Sequence, residues 1–231
     1  MSFEAGWYAV AIAEGLEPGT SAGTRLFDKE IVVWRDQDGA SHAWEDRCPH
    51  RGMRLSFGFV RGNHIACLYH GWQYDTAGQC RYIPAHPNLE VPDTIKVVTY
   101  PSAEAGGLVW IWSEMTAEAP VPPPEDFAAR PVRSLYVERS PEIVAAILDE
   151  GIAGPFEILS PVSFATAIEG ATLRLELQPF TAERTALHIV QTDGEPDAAE
   201  IAMWSEELRA VLEAVPPSAL TPEAHLARAM R

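Results

Sequence analysis

The sequence predicts a chain that is mostly β in its first half and mixed α+β in its second. Three observations carry this. Short apolar and β-branched runs, parted by Gly and Pro turns, continue as far as Trp112. A proline-rich stretch, Ala119-Pro120-Val121-Pro122-Pro123-Pro124, then interrupts the chain. Finally, apolar residues at Ile201, Trp204, Leu208, Val211 and Leu212 repeat at helical spacing.

Taken in order, Trp7 to Ala11 is the first strand-like run. Glu30 to Arg35 and Ala40 to Glu45 read as a hairpin around Asp36-Gln37-Asp38-Gly39. Asn63 to Ala66 and Trp72 to Asp75 follow, then Lys96 to Tyr100 and Leu108 to Trp112. Such a series suggests a small antiparallel barrel or sandwich. Past the prolines, Pro141 to Glu150 reads as a short helix, with Ser140 as N-cap and proline at its first position. Strands are expected over Val162–Ile168, Thr172–Leu177 and Arg184–Gln191, a helix over Ala198–Ala214, and a last helix over Thr221–Met230. The expected organisation is a first domain over 1–118, a linker over 119–134 and a second domain over 135–231.

The 33 acidic residues outnumber the 17 basic ones, for a formal charge of -16. That balance argues against nucleic acid and anionic lipid as partners and favours a basic one. No apolar run is long enough to cross a bilayer, and the first residues lack the pattern of a secretion signal, so a cytoplasmic protein is expected. Three cysteines, an odd count, argue against a disulfide framework.

Two of those cysteines sit in matching motifs, Cys48-Pro49-His50-Arg51-Gly52 and Cys67-Leu68-Tyr69-His70-Gly71-Trp72, with sixteen residues between His50 and Cys67. Each supplies one thiolate and one imidazole. Four such donors suit a single tetrahedral zinc. They equally suit a [2Fe–2S] cluster with both cysteines on one iron and both histidines on the other.

The two motifs resemble those of the Rieske family, and the resemblance spans about residues 5 to 115. It implies one [2Fe–2S] cluster bound by Cys48, His50, Cys67 and His70 on two hairpin loops, with the histidines at the exposed tip. Trp72 and Tyr69 are expected to shield the cluster, and Arg47, Arg51 and Arg54 to offset its charge. The disulfide of respiratory Rieske proteins is not expected, because Met53, Leu68 and Tyr69 stand at the corresponding places. Cys80 is expected to be a buried small hydrophobe.

The stretches Tyr82-Ile83-Pro84-Ala85 and Glu104 to Trp112 extend the resemblance to vanillate O-demethylase oxygenase subunits and related ring-hydroxylating oxygenases. It implies that the second domain is a shortened, helix-grip-like α+β domain. In that family this domain binds a mononuclear iron through Asp-x2-His-x4-His and a later Asp. Here Asp149 matches the leading Asp, but Ile152 and Glu157 replace the histidines, and the late Asp falls near Glu207. No mononuclear iron is therefore expected. Glu157, His188 and Glu206 or Glu207 remain the candidates for an atypical second metal site.

The resemblance thus implies a one-electron Rieske carrier rather than an autonomous oxygenase. A flavin or ferredoxin reductase would be its donor, and Asp149 a possible electron exit toward a catalytic oxygenase subunit or a neighbour in a homotrimer. A terminal aromatic demethylase or hydroxylase with an atypical metal site, and a structural accessory subunit, are the alternatives.

Overall fold

The computed structural model describes residues 3–116, 118–168, 170–195 and 198–220. It divides into two compact units, Ala5–Phe127 and a second made of Met1–Glu4 with Ala128–Arg231. The helix expected over Thr221–Met230 lies outside the described residues.

The first unit is built from eleven strands in three small antiparallel sheets. β1 (Trp7–Ile12), β11 (Leu108–Trp112) and β10 (Ser102–Ala105) form one. β2 (Ser21–Leu26), β3 (Lys29–Arg35), β4 (Ser41–Glu45) and β9 (Thr99–Tyr100) form the second, and β3 with β4 is the expected hairpin. The third runs β5 (Phe59–Arg61), β6 (His64–Ala66), β7 (Gln73–Asp75) and β8 (Cys80–Tyr82) in chain order. β3 alone brings Ile31, Val32, Val33 and Trp34 to zero exposure. Val32, Trp34, Trp44, Leu55, Ile65 and Tyr74 make a core that also contains the side chains of Cys48, Cys67 and Cys80. Burying these aromatic and branched side chains contributes about 1.5–3 kcal/mol each. This apolar floor anchors the two Cys/His loops through the side chains of Cys48 and Cys67.

The second unit is one five-stranded antiparallel sheet ordered β12 (Arg130–Val137), β16 (Arg184–Gly194), β15 (Ala171–Thr181), β14 (Ser163–Ile168) and β13 (Glu157–Ser160). Among the described residues two α-helices accompany it, α1 (Pro141–Asp149) and α2 (Ala198–Ala214). Alternate residues of the central strands, Leu173, Leu175, Leu177, Leu187 and Ile189, join Val144, Ile147 and Leu148 of α1 and Ile201, Leu208 and Leu212 of α2 in one core. Ser140 sits at the N-cap of α1 as expected, but its side chain makes no capping bond. On α2, Val211 turns outward while Ser205 takes a buried position, donating to the Ala202 carbonyl at 2.8 Å and accepting from Arg133 at 3.1 Å. β12 begins inside the stretch read as linker. It is an edge strand, a position where proline is tolerated, and Pro131 stands there beside a register shift.

Candidate metal centre

The two motifs fold into the same backbone frame. In the first, the Cys48 N–H donates to the Met53 carbonyl and the Gly52 N–H to the Cys48 carbonyl, both at 2.8 Å. In the second, the Cys67 N–H donates to the Trp72 carbonyl and the Gly71 N–H to the Cys67 carbonyl, both at 2.9 Å. Each turn closes through a glycine in the left-handed region, φ 72° at Gly52 and 70° at Gly71, where a side chain is strained. The frame is shared although histidine stands two residues after cysteine in one turn and three in the other.

Neighbouring residues fix the frame. The second turn joins β6 to β7, whose strands pair directly below it. The first is tied at its base by Asp46, a buried carboxylate that accepts from the Ser56 N–H at 2.7 Å and the Ser56 hydroxyl at 2.6 Å. Such charge-assisted bonds are the stronger kind. Neither Asp46 nor Tyr74 was marked by the sequence motifs. Tyr74 lies on β7 with zero exposure, and its hydroxyl is 3.1 Å from the Cys48 sulfur. The strand's alternation places Tyr74 inward, and that is the sequence signal that finds it.

The donors stand as two like pairs. Cys48 and Cys67 are buried in the same core. Burial pushes the Cys67 thiol above its usual pKa, so a metal binding there must displace a proton. The His50 and His70 rings lie 4.6 Å apart between centroids, edge to face. His50 is half-buried and His70 exposed. Burial, with the nearby charges of His70 and Arg51, holds the His50 imidazole below its usual pKa. Among the described residues no three His, Cys, Asp or Glu side chains gather as one ion would need. A thiol pair set deep and an imidazole pair set outward is the grouping a two-iron cluster takes, one iron to each pair. The donor set therefore fits that group.

Trp72 stacks face to face on His50, and Tyr69 lies 3.9 Å from His70 but is itself more than half exposed. Trp72 thus covers the site, whereas Tyr69 stands at its rim. Arg54 pairs with Glu30 and is not available to the cluster, while Arg47 and Arg51 are exposed beside the first turn. Cys80 is 1% exposed and sits in the core, as expected of a small hydrophobe.

In the second unit the remaining candidates do not share a site. Asp149 is exposed at the end of α1, Glu157 on edge strand β13 and Glu207 on α2. Glu206 pairs with Arg133 at 2.9 Å and also with Arg209. His188 is buried, one ring nitrogen 2.8 Å from the Ser134 hydroxyl and the other 2.8 Å from the Gln178 side-chain oxygen. Burial lowers its pKa to about 4. Ser134, His188, Glu176 and Ser163 are directly opposed across four strands, forming a polar row on the face away from the leucine core. Glu176 is 1% exposed, accepts from Ser163 at 2.9 Å and pairs with Arg174; desolvation nevertheless raises its pKa to about 7.

Residues 6–101 match the Rieske [2Fe–2S] domain family. The first unit is accordingly a Rieske iron–sulfur domain. Several relatives of the chain are named as monooxygenases, demethylases or oxygenases. It is 40% identical over 105 residues to "Oxidoreductase NdmD" of Pseudomonas putida, covering 45% of this chain and 18% of that protein. It is 36% identical over 124 residues to "Dicamba O-demethylase, oxygenase component" of Stenotrophomonas maltophilia, covering 54% of this chain and 36% of that one. The chain therefore spans well under half the length of these relatives. Among solved structures, dicamba monooxygenase bound to dicamba superposes with a TM-score of 0.72 at 21% identity, covering 98% of this chain and 90% of that one. The described residues, β unit and α+β unit alike, thus share the fold of that solved structure. No described helix is long and apolar enough to cross a membrane.

Proposed function

We propose that the chain is a one-electron Rieske carrier, derived from an oxygenase subunit and without a mononuclear iron. Cys48 and Cys67 would hold the inner iron of a [2Fe–2S] cluster, His50 and His70 the outer one. The observation that carries this reading is the division of the donors into a buried thiol pair and an outward imidazole pair on two matching turns. When bound, the cluster supplies one-electron oxidation and reduction. The chain's own residues keep water from the sulfur side, orient His50 against Trp72 and leave His70 open to a partner.

Ile152 and Glu157 stand where the family places iron-binding histidines, and His188 is committed to Ser134 and Gln178. These features support a site without oxygen chemistry. The donor would be a flavin or ferredoxin reductase. The acceptor would be a catalytic oxygenase subunit, or a neighbouring copy in a trimer, with Asp149 accepting a hydrogen bond from a cluster histidine across the interface. Unbridged cysteines suit the reducing cytoplasm.

Metal and sulfide analysis with an EPR spectrum of the reduced protein tests the reading. The expected result is about two irons and two labile sulfides per chain. One equivalent of zinc without iron in aerobically purified protein refutes the cluster, and a third iron restores the oxygenase alternative.

A further inference from the structure

The third sheet of the first unit has two unlike edges. Along β8 the chain folds back over the edge: the Cys80 N–H donates to the Ile95 carbonyl at 2.9 Å, and Gln79 bridges to Lys96. β5, at the other edge, pairs among the described residues with β6 alone. Their hairpin closes at Arg61 and His64 around a two-residue loop, Gly62-Asn63. The closing pair of such a hairpin exchanges its hydrogen bonds inward, so the pair before it turns its backbone groups outward. The N–H and C=O of Val60 therefore face away from β6, along the open edge. That edge lines an open cleft of about 360 Å³. Phe57 and Phe59 line it too, 58% and 52% exposed, and rings that stand together in water mark a surface for contact. Its frame is fixed. The Ser21 hydroxyl donates to the Ser56 carbonyl at 3.2 Å, and Ser56 is itself held by Asp46. Arg61 is the one charged residue lining the cleft, and among the described residues its guanidinium forms no ion pair or hydrogen bond.

Strand alternation puts Phe59 and Arg61 on one face of β5, two residues apart, while Val60 packs against the core on the other. A segment added in register meets Phe59 with one side chain and Arg61 with the next but one. We infer that this edge takes an extended peptide segment of a partner protein by strand addition, a segment with a carboxylate two residues before an aromatic side chain. Antiparallel like the rest of the sheet, its middle residue exchanges N–H···O=C bonds with Val60, its carboxylate faces Arg61 and its ring faces Phe59. The backbone groups favour a peptide over a small aromatic acid, which would leave the N–H and C=O of Val60 to water. None of the four metal donors lines the cleft, so the inference stands apart from the electron-carrier reading.

The probe is the peptide acetyl-Thr-Glu-Val-Tyr-Thr-amide, titrated into the full chain and followed by calorimetry and residue-resolved hydrogen exchange. Binding should saturate, and the Val60 amide, which exchanges fast in the free protein, should become protected. Arg61→Gln and Phe59→Ala should each weaken binding about fivefold, the scale of one surface ion pair or one cross-strand pair. N-methylation of the valine in the probe, which removes a ladder donor, should abolish it. Arg61→Glu protein should prefer a probe with lysine in place of glutamate, a reversal that misfolding cannot produce. No saturable binding, or binding without protection of Val60, overturns strand addition. So does equal affinity for N-acetyltyrosine amide, which would mark the cleft as a site for a ring alone. Failure of the charge reversal overturns the role of Arg61 and with it the acidic half of the recognised segment.

Discussion

Trp72 lies flat on His50, with ring centroids 4.3 Å apart and planes 6° from parallel. The same indole belongs to the edge of the core that holds Cys48 and Cys67. One side chain therefore fixes the outward imidazole and closes the inward thiol pair, while His70, flanked by exposed Leu68 and Tyr69, stays open.

That double role gives a first test. Trp72→Ala protein should still assemble the cluster but bleach in air several-fold faster than wild type, since an aromatic cover worth about 0.5–1.5 kcal/mol beyond its buried area is lost. Trp72→Phe should restore most of the lifetime. Visible absorbance followed over hours measures it, and equal lifetimes for the alanine variant and wild type would remove the shielding role.

Cysteine substitution separates ligand from filler. Cys48→Ser or Cys67→Ser should abolish the iron–sulfur spectrum. Cys80→Ala should keep two irons and lose only about 1 kcal/mol of stability, the scale of deleting a small buried group. Iron analysis and denaturant melts check both; loss of iron in the Cys80 variant would contradict the ligand set.

Supplied with a competent reductase, the purified chain should not hydroxylate or demethylate aromatic substrates. Ile152 has no donor atom, Glu157 is exposed on an edge strand, and both ring nitrogens of His188 are occupied. A site lacking imidazole is a poor iron(II) oxygenase centre. Product formation coupled to oxygen uptake is the measurement that would reverse this conclusion.

The polar row of the second unit should make its stability pH-dependent in two opposite senses. Glu176 has its carboxyl pKa raised to about 7 from an ordinary value near 4.5. The unfolded chain releases that proton first, so stability falls as pH rises through this window, by up to about 3 kcal/mol at 1.36 kcal/mol per pKa unit. His188, lowered to about 4 by burial, acts the other way: stability falls as pH drops from about 6.5 toward 4. Urea melts at pH 5 and pH 8 should show that Glu176→Gln protein loses the decline on the alkaline side. An identical pH profile for variant and wild type would mean that Glu176 ionises normally in the fold.

The elements legible in the sequence were those with strong burial patterns. β3, β4 and β11 are continuous apolar or alternating runs, and α2 carries helical spacing over its whole length. The elements that escaped are edge strands. β2 reads Ser-Ala-Gly-Thr-Arg-Leu and needs no apolar face, since β3 supplies the hydrogen bonds on one side only. β12 was hidden by Pro131, and β13 by residues that matched the register of an iron motif. At the candidate site the four donors were readable because their chemistry is rare and their spacing specific. Asp46 and Tyr74 were not, because a buried acid and a core tyrosine gain their roles only through what the fold places beside them: Ser56 ten residues on, and Cys48 twenty-six residues back.

The two turns that carry the donors repeat one hydrogen-bond circuit, yet the imidazoles hang from different rungs of it. In topology the site is a near-duplicate whose halves coincide at sulfur and disagree at nitrogen. Transplanting residues 48–51 in place of 67–70 would keep Gly71 and Trp72, preserve both main-chain links of the clasp and still shift one ring by a rung. The two halves of the receptacle thus differ by a single-residue offset of the imidazole and not in the course of the main chain.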